Sequence, residues 1–215
     1  MEHEREFQDL LIYSTRGLGL NLNENQVAQF MCYLSQLIHW NKTTNLTSIT
    51  DPQEIVIKHF VDSITSLIAT TFPPGARLVD VGTGGGFPGV PLKIIRNDLR
   101  LTLIEPNRKK CSFLASVIGM LKLREAEIFT GTFRQYCEGD RPAADMITVR
   151  ALRFEEIRDD LERLSPAGRI VLYRTEDLQP IDLRGGFAIE SQQSFSLPAN
   201  SGERVISVLS KPPEH

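Results

Sequence analysis

Little in this chain could serve covalent or metal chemistry. Its 215 residues hold three cysteines, Cys32, Cys111 and Cys137, and a single tryptophan. No two cysteines form a Cys-x-x-Cys pair, which excludes a zinc ribbon and a thioredoxin-type redox motif; no metal site is expected. So odd and sparse a set also argues against a disulfide framework and for reduced thiols in a cytoplasmic protein. No run approaches the ~18 apolar residues of a membrane span. The start, MEHEREFQDLLIY, is charged and then amphipathic, without the basic start and apolar run of a secretion signal. Nor does one sign of charge dominate, since the formal net charge is −3. That excludes a uniformly basic nucleic-acid binder but leaves room for a local basic patch. Residues 93–124 carry Lys93, Arg96, Arg100, Arg108, Lys109, Lys110, Lys122 and Arg124 against only Asp98 and Glu105. A polyanion-facing surface or the solvated faces of two helices would both give this bias. At 41% hydrophobic and 24% charged residues, the chain can bury an ordinary core. Nothing in the sequence sets the oligomeric state, and a monomer is the default expectation.

Residues 1–72 read as helix. Phe7, Leu10, Leu11 and Tyr13 lie at roughly helical spacing, and Gly17 and Gly19 suit a helix end. Asn23 with Gln26 makes a capping-box pattern ahead of Val27, Phe30, Met31, Leu34, Leu37 and Ile38. Asp51 and Pro52 open a third helical stretch, while Trp40, Lys42 and Asn45 are assigned to a polar loop before it. Pro73, Pro74 and Gly75 then interrupt the chain. Beyond them, strands at 77–82, 101–105, 126–130, 145–149 and 168–173 are predicted, with helices at about 89–96, 107–120 and 154–164. Such alternation implies a mostly parallel sheet with helices on both faces. Two final strand-like runs, 186–197 and 203–210, have no helix between them and predict an antiparallel hairpin. The expected division is a helical extension, 1–72, and an α/β cofactor domain, 73–215. His3 and His215 sit near the termini and carry no expected role.

The first strand runs into DVGTGGGFPGVP, Asp80 to Pro91, which then opens a helix. Gly82, Gly84 and Gly86 permit positive φ and close approach of a ligand to the backbone. A dinucleotide fingerprint needs glycine five residues after the first, where this chain has Phe87, a side chain expected to crowd a pyrophosphate. No Gly-Lys-Ser/Thr follows, so a P-loop is excluded. A G-x-G-x-G loop preceded by the acidic Asp80 suits S-adenosylmethionine, whose amino-acid end offers an ammonium and a carboxylate. Glu105 ends the second strand, where an acid accepts hydrogen bonds from a ribose diol.

Four segments together resemble the bacterial RsmG or GidB family. They are WNKTTNLTS (40–48), KHFVDS (58–63), DVGTGGGFPGVPL (80–92) and EPNRKKCSFL (105–114), and the likeness runs from about residue 24 to 211. The resemblance implies a Rossmann-like class I methyltransferase fold, with a seven-stranded sheet and an N-terminal helical extension. It implies methyl transfer to N7 of a guanine in 16S ribosomal RNA, with cofactor contacts at Gly82, Phe87, Glu105, Phe133, Arg134 and Arg150. The chain departs from the family at three places. Gly131-Thr132-Phe133-Arg134 replaces Gly-Arg-Ala-Glu, Val149-Arg150-Ala151 replaces Ser-Arg-Ala, and Arg174-Thr175 replaces Lys-Gly.

Guanine N7 carries a lone pair and no hydrogen, so alignment matters more than a general base. Consistent with this, there is no Pro-Cys nucleophile motif and no Asp/Asn-Pro-Pro-Tyr/Phe tetrad. Arg150, at the carboxyl end of the fourth strand, is the expected catalytic residue. Lys42, Asn45, Arg108, Lys109, Lys110 and Arg174 are the expected RNA contacts. Trp40 suits either base stacking or packing, and His59 with Asp62, on one helix face, either catalysis or a local hydrogen bond. A class I methyltransferase acting on a small molecule or protein, and an inactive cofactor-binding assembly factor, remain as alternatives.

Overall fold

The computed structural model describes residues 2–164, 168–179 and 186–211; His215 lies outside them, and the side chain of His3 is not among those described. Helix α1 spans Glu2–Gly17 and α2 spans Glu24–Thr44. The capping box at Asn23 forms: its Oδ1 accepts the Gln26 N–H at 2.9 Å, and Gln26 Oε1 accepts the Asn23 N–H at 2.9 Å. Helix α2 runs further than expected. Trp40 and Lys42 lie in its last turns, not in a loop, and Asn45 ends it in the left-handed conformation at φ 49°. Packing explains the extension, since Trp40 meets Phe113 edge-on, 5.9 Å between ring centroids.

Asp51 caps the third stretch, made of α3 (Pro52–Ile55), a π-helical turn (Val56–Val61), α4 (Asp62–Ile64) and α5 (Ser66–Ala69). The π turn carries His59 and leads into Asp62; such turns recur at functional sites.

The α/β part follows as β1 (Arg77–Val81), α6 (Gly89–Ile95), β2 (Arg100–Glu105), α7 (Arg108–Met120) and β3 (Ala126–Thr130). It continues with α8 (Phe133–Glu138), β4 (Met146–Arg150), α9 (Phe154–Leu164), β5 (Arg169–Arg174), β6 (Ala188–Ser196) and β7 (Glu203–Ser210). The strands form one seven-stranded sheet in the order β3-β2-β1-β4-β5-β7-β6. β1 to β5 pair in parallel, and β7 is antiparallel to both β5 and β6. The order reverses between β1 and β4, and ligands of such sheets bind outside the carboxyl ends of the strands at that point.

Alternate side chains of each strand feed opposite cores. One core joins Leu78, Leu103, Met146 and Val208 to Leu11, Phe30, Tyr33, Leu37 and Phe60 of the N-terminal helices. The other joins Val79, Val81, Ile147 and Leu172 to Phe133, Phe154 and Leu161. The N-terminal helices therefore share their apolar core with the sheet. Short α8 was missed from the sequence, although its own capping box, Thr132 with Gln135, is present. No helix among the described residues is long and apolar enough to cross a membrane.

Candidate functional site

The glycine loop is built largely from its own backbone and one buried acid. Asp80 has no exposed surface. Its Oδ2 accepts from Thr83 Oγ1 at 2.5 Å and from the Gly89 N–H at 2.9 Å, and its Oδ1 accepts from Thr148 Oγ1 at 2.9 Å. Burial pushes its pKa up to about 6, against the pull of these donors. Asp80 was expected among the cofactor contacts. Instead it ties the end of β1 to the loop, to the start of α6 and to β4.

The three glycines differ in what they face. Gly86, at φ 96°, lies under the N-terminal helices: an added Cβ would sit 2.6 Å from the Tyr33 hydroxyl and 2.8 Å from Val90. Its smallness admits packing, not a ligand. Tyr33 also donates to the buried Gly85 carbonyl, so α2 supports the loop from below. Gly84, at φ 57°, faces open space, with only the Gly82 carbonyl 4.0 Å from an added Cβ. Gly82, at φ 65°, is covered by Leu152, whose Cδ1 would lie 2.7 Å from such a Cβ. Leu152 follows Ala151, which is itself at φ 63°, and is 39% exposed.

The Phe87 side chain, expected at the cofactor, packs against the N-terminal helices. Its ring is buried, stacked 4.5 Å from His59 and 5.4 Å from Tyr33, with the Arg150 guanidinium carbon 5.1 Å from its centroid. The flat ring serves as a floor for Arg150.

At the rim, Glu105 Oε2 accepts the Gly84 N–H at 2.9 Å and its Oε1 accepts the Asn107 N–H at 2.9 Å. Each oxygen keeps a lone pair for a diol. Of the expected contacts after β3, the side chains point elsewhere: Phe133 is buried in the second core, and Arg134 Nε lies 3.4 Å from Asp160. Their backbone N–H groups head α8, where a helix leaves donors unpaired. An open face at Gly84, an acid at the second strand end and two leading N–H groups fit the methionine, ribose and adenine parts of S-adenosylmethionine.

Beyond Leu152 opens a cleft of about 790 Å³, lined by Lys58, Arg150, Arg153, Arg174 and Arg204, with Glu176 and Glu203 among the other lining residues. Arg150 Nη1 donates to Asp62 Oδ2 at 3.0 Å and to the Lys58 carbonyl at 3.3 Å. Its Nη2 lies 3.1 Å from His59 Nδ1. A guanidinium only donates, so His59 Nδ1 accepts and the ring proton is on Nε2, facing Thr47 Oγ1 at 2.7 Å. Burial first, and the Arg150 charge second, push the His59 pKa down to about 3. Asp62 is fully buried and also accepts from Arg204 Nε at 2.5 Å.

His59 and Asp62 thus hold Arg150, and Thr47, inside the WNKTTNLTS segment, holds His59. Among the six expected RNA contacts, Arg174 alone lines this cleft. Lys42 and Asn45 are exposed at the end of α2, and Arg108 and Lys109 are exposed on the first turn of α7 with Lys110 half-buried. Lys93, within the basic segment, is buried and donates to the Asn97 carbonyl at 2.7 Å, while Arg96 pairs with Asp98 at 2.8 Å. Neither is available to a polyanion. Sequence reasoning missed Tyr33, Thr47, Leu152 and Arg204; only the last carries a charge that could have drawn notice.

A family model described as rRNA small subunit methyltransferase G matches residues 26–193. A relative named ribosomal RNA small subunit methyltransferase G from Aquifex aeolicus is 42% identical over 187 residues, covering 82% of this chain and 90% of that one. A protein of the same name from Oceanobacillus iheyensis is 30% identical over 212 residues, covering 93% and 89%. Among solved structures, a mutant of MtNAS in complex with S-adenosylmethionine superposes with a TM-score of 0.60 at 18% identity, covering 97% of this chain and 89% of that one. TrmN from Thermus thermophilus does so with a TM-score of 0.57 at 19% identity, covering 71% and 48%. These two share the fold; the family match and the two sequence relatives go further, and by them this chain belongs to the rRNA small subunit methyltransferase G (GidB) family.

Proposed function

We propose that the protein transfers the methyl group of S-adenosylmethionine to N7 of a guanine in 16S ribosomal RNA, acting as a cytoplasmic monomer. In this reading residues 73–215 hold the cofactor and residues 1–72 form a cap that completes the substrate side. The names of the two relatives support the RNA class. The observation that carries the reading is an arginine-lined cleft opening beside the cofactor loop, in which both candidate bases are already committed. His59 offers Nδ1 to Arg150, and the Asp62 carboxylate is shared by two arginines. Neither is therefore free to take a proton from a nucleophile before attack. Guanine N7 has no proton to lose.

Bound S-adenosylmethionine supplies an electrophilic methyl on a sulfonium. The chain's part is to bind and align. Gly84 and Glu105 face the cofactor, Leu152 stands between the crevice and the cleft, and Arg150, on its Phe87 floor, orients the guanine or a neighbouring phosphate. Arg108 and Lys109 start α7, where the helix dipole disfavours cations. An RNA phosphate would offset that repulsion, which supports contact there.

Two experiments test the reading. Mass spectrometry of 16S RNA from cells with and without the protein should reveal one missing methyl group at a guanine. Offered ribosomal RNA and small metabolites side by side, the protein should label the RNA with tritiated methyl; label on the metabolites alone would reassign its substrate.

A further inference from the structure

We propose that Arg204, near the start of β7, is a positioning residue that sets the orientation of Arg150 by sharing its counter-ion. The inference rests on the RNA-methylation reading and names a residue that serves it from the far side of the cleft. Asp62 is fully buried and meets two arginines, one on each oxygen: Arg150 Nη1 on Oδ2 at 3.0 Å and Arg204 Nε on Oδ1 at 2.5 Å. Arg204 is anchored in turn, its Nη1 donating to the Arg174 carbonyl at 3.1 Å. An arginine facing a carboxylate alone prefers to pair through two parallel bonds. Arg204 already donates to Oδ1, and repulsion between the two guanidiniums keeps Arg150 on Oδ2, with its Nη2 turned to His59 Nδ1. The Phe87 ring below limits any swing out of plane.

The charge count points the same way. One carboxylate stands between two guanidiniums, and the neighbouring imidazole is neutral, so this cluster keeps one net positive charge beside the cleft. Remove Arg204, and Asp62 neutralises Arg150 outright. Arg204 therefore fixes both the angle and the effective charge of the side chain that meets the substrate, without itself having to touch it.

The test compares Arg204→Met, Arg204→Lys and Val208→Ala with the unmodified protein. Val208 lies in the core on the same strand, so its truncation destabilises β7 without altering the cleft. Turnover on small-subunit RNA, KM for RNA and for S-adenosylmethionine, melting temperature and the His59 ring nitrogen signals by NMR are read for each. Arg204→Met should lower kcat about tenfold or more while both KM values stay within about twofold. Arg204→Lys should recover part of the loss, and Val208→Ala should lower the melting temperature with kcat kept. The His59 Nδ1 signal should move in Arg204→Met, as Arg150 shifts onto both Asp62 oxygens. A raised KM for RNA with unchanged kcat would make Arg204 a direct RNA contact and overturn the proposal. Matching kcat losses in Arg204→Met and Val208→Ala would make its role merely structural. Should the unmodified protein label no RNA, the methylation reading falls, and the positioning claim stands or falls on the His59 signal alone.

Discussion

The cofactor crevice and the arginine-lined cleft lie side by side, separated by Leu152, yet they are built by opposite means. The crevice is a local object. Its glycine loop comes from one strand, one turn and one helix, joined by Glu105 from the next strand end and the first N–H groups of α8, and much of it is backbone and the space left by Gly84. The cleft is assembled from side chains far apart in the chain: Asp62 on the cap, Arg150 at the end of β4, Arg174 at the end of β5 and Arg204 on the hairpin. The N–H groups that head α8 leave the Phe133 and Arg134 side chains free for packing and pairing. A site made of paired charges depends on every member at once.

The sharpest way to break this contrast is to remove the charge at the centre of the cleft. Asp62→Ala leaves two largely buried arginines without their shared partner and should destabilise the fold by about 3–5 kcal/mol. Urea denaturation measures it. A loss below about 1 kcal/mol would equate the network with an ordinary surface pair and erase the distinction.

Next in size is a block of the crevice itself. Gly84→Trp should weaken S-adenosylmethionine binding at least about 100-fold, roughly 2.7 kcal/mol by calorimetry. The left-handed backbone strain at this position should cost only about 1–2 kcal/mol in stability. Unchanged cofactor affinity would remove Gly84 from the crevice. Gly86→Ala sharpens the comparison, because the clash with Tyr33 and Val90 should reduce stability more than Gly84→Ala does.

A smaller effect separates the two regions by pH. Asp80 rises from 3.8 to about 6 on folding, so its contribution to stability is fullest below pH 3.8 and is lost as pH climbs through about 6. His59 falls from 6.5 to about 3, so its contribution is full above pH 6.5 and is lost as pH drops through about 3. Between pH 4 and 6 the loop and the cleft oppose each other. Asp80→Asn should steepen the rise of stability across that window, and His59→Gln should flatten it. Urea midpoints that follow one common slope in all three proteins would show that neither group titrates as its surroundings dictate.

The smallest expected change lies outside both sites. Lys109→Gln on the first turn of α7 should reduce the slope of log RNA affinity against log salt by about 0.7, the share of one phosphate. An unaltered slope would assign the α7 cations to solvent.

Much of the fold is legible in the sequence. The capping box at Asn23, the Pro73–Gly75 break, the strand and helix alternation and the final hairpin all follow from rules of a few residues' reach. The Trp40 region went wrong because its helix is prolonged by a ring from α7, a contact across more than seventy positions. Loop spacing does not show where the Phe87 side chain goes, because its direction depends on Tyr33 and His59 arriving from the cap.

What the sequence alone determined is therefore the cofactor half: a glycine turn after a strand, and an acid at the end of the next, are set by backbone sterics and short-range hydrogen bonding. What only tertiary structure decided is the cleft, because which arginine meets which carboxylate depends on how cap, sheet and hairpin pack. A buried charge takes whatever partner that packing brings within about 3 Å, and its position along the chain carries no record of the choice.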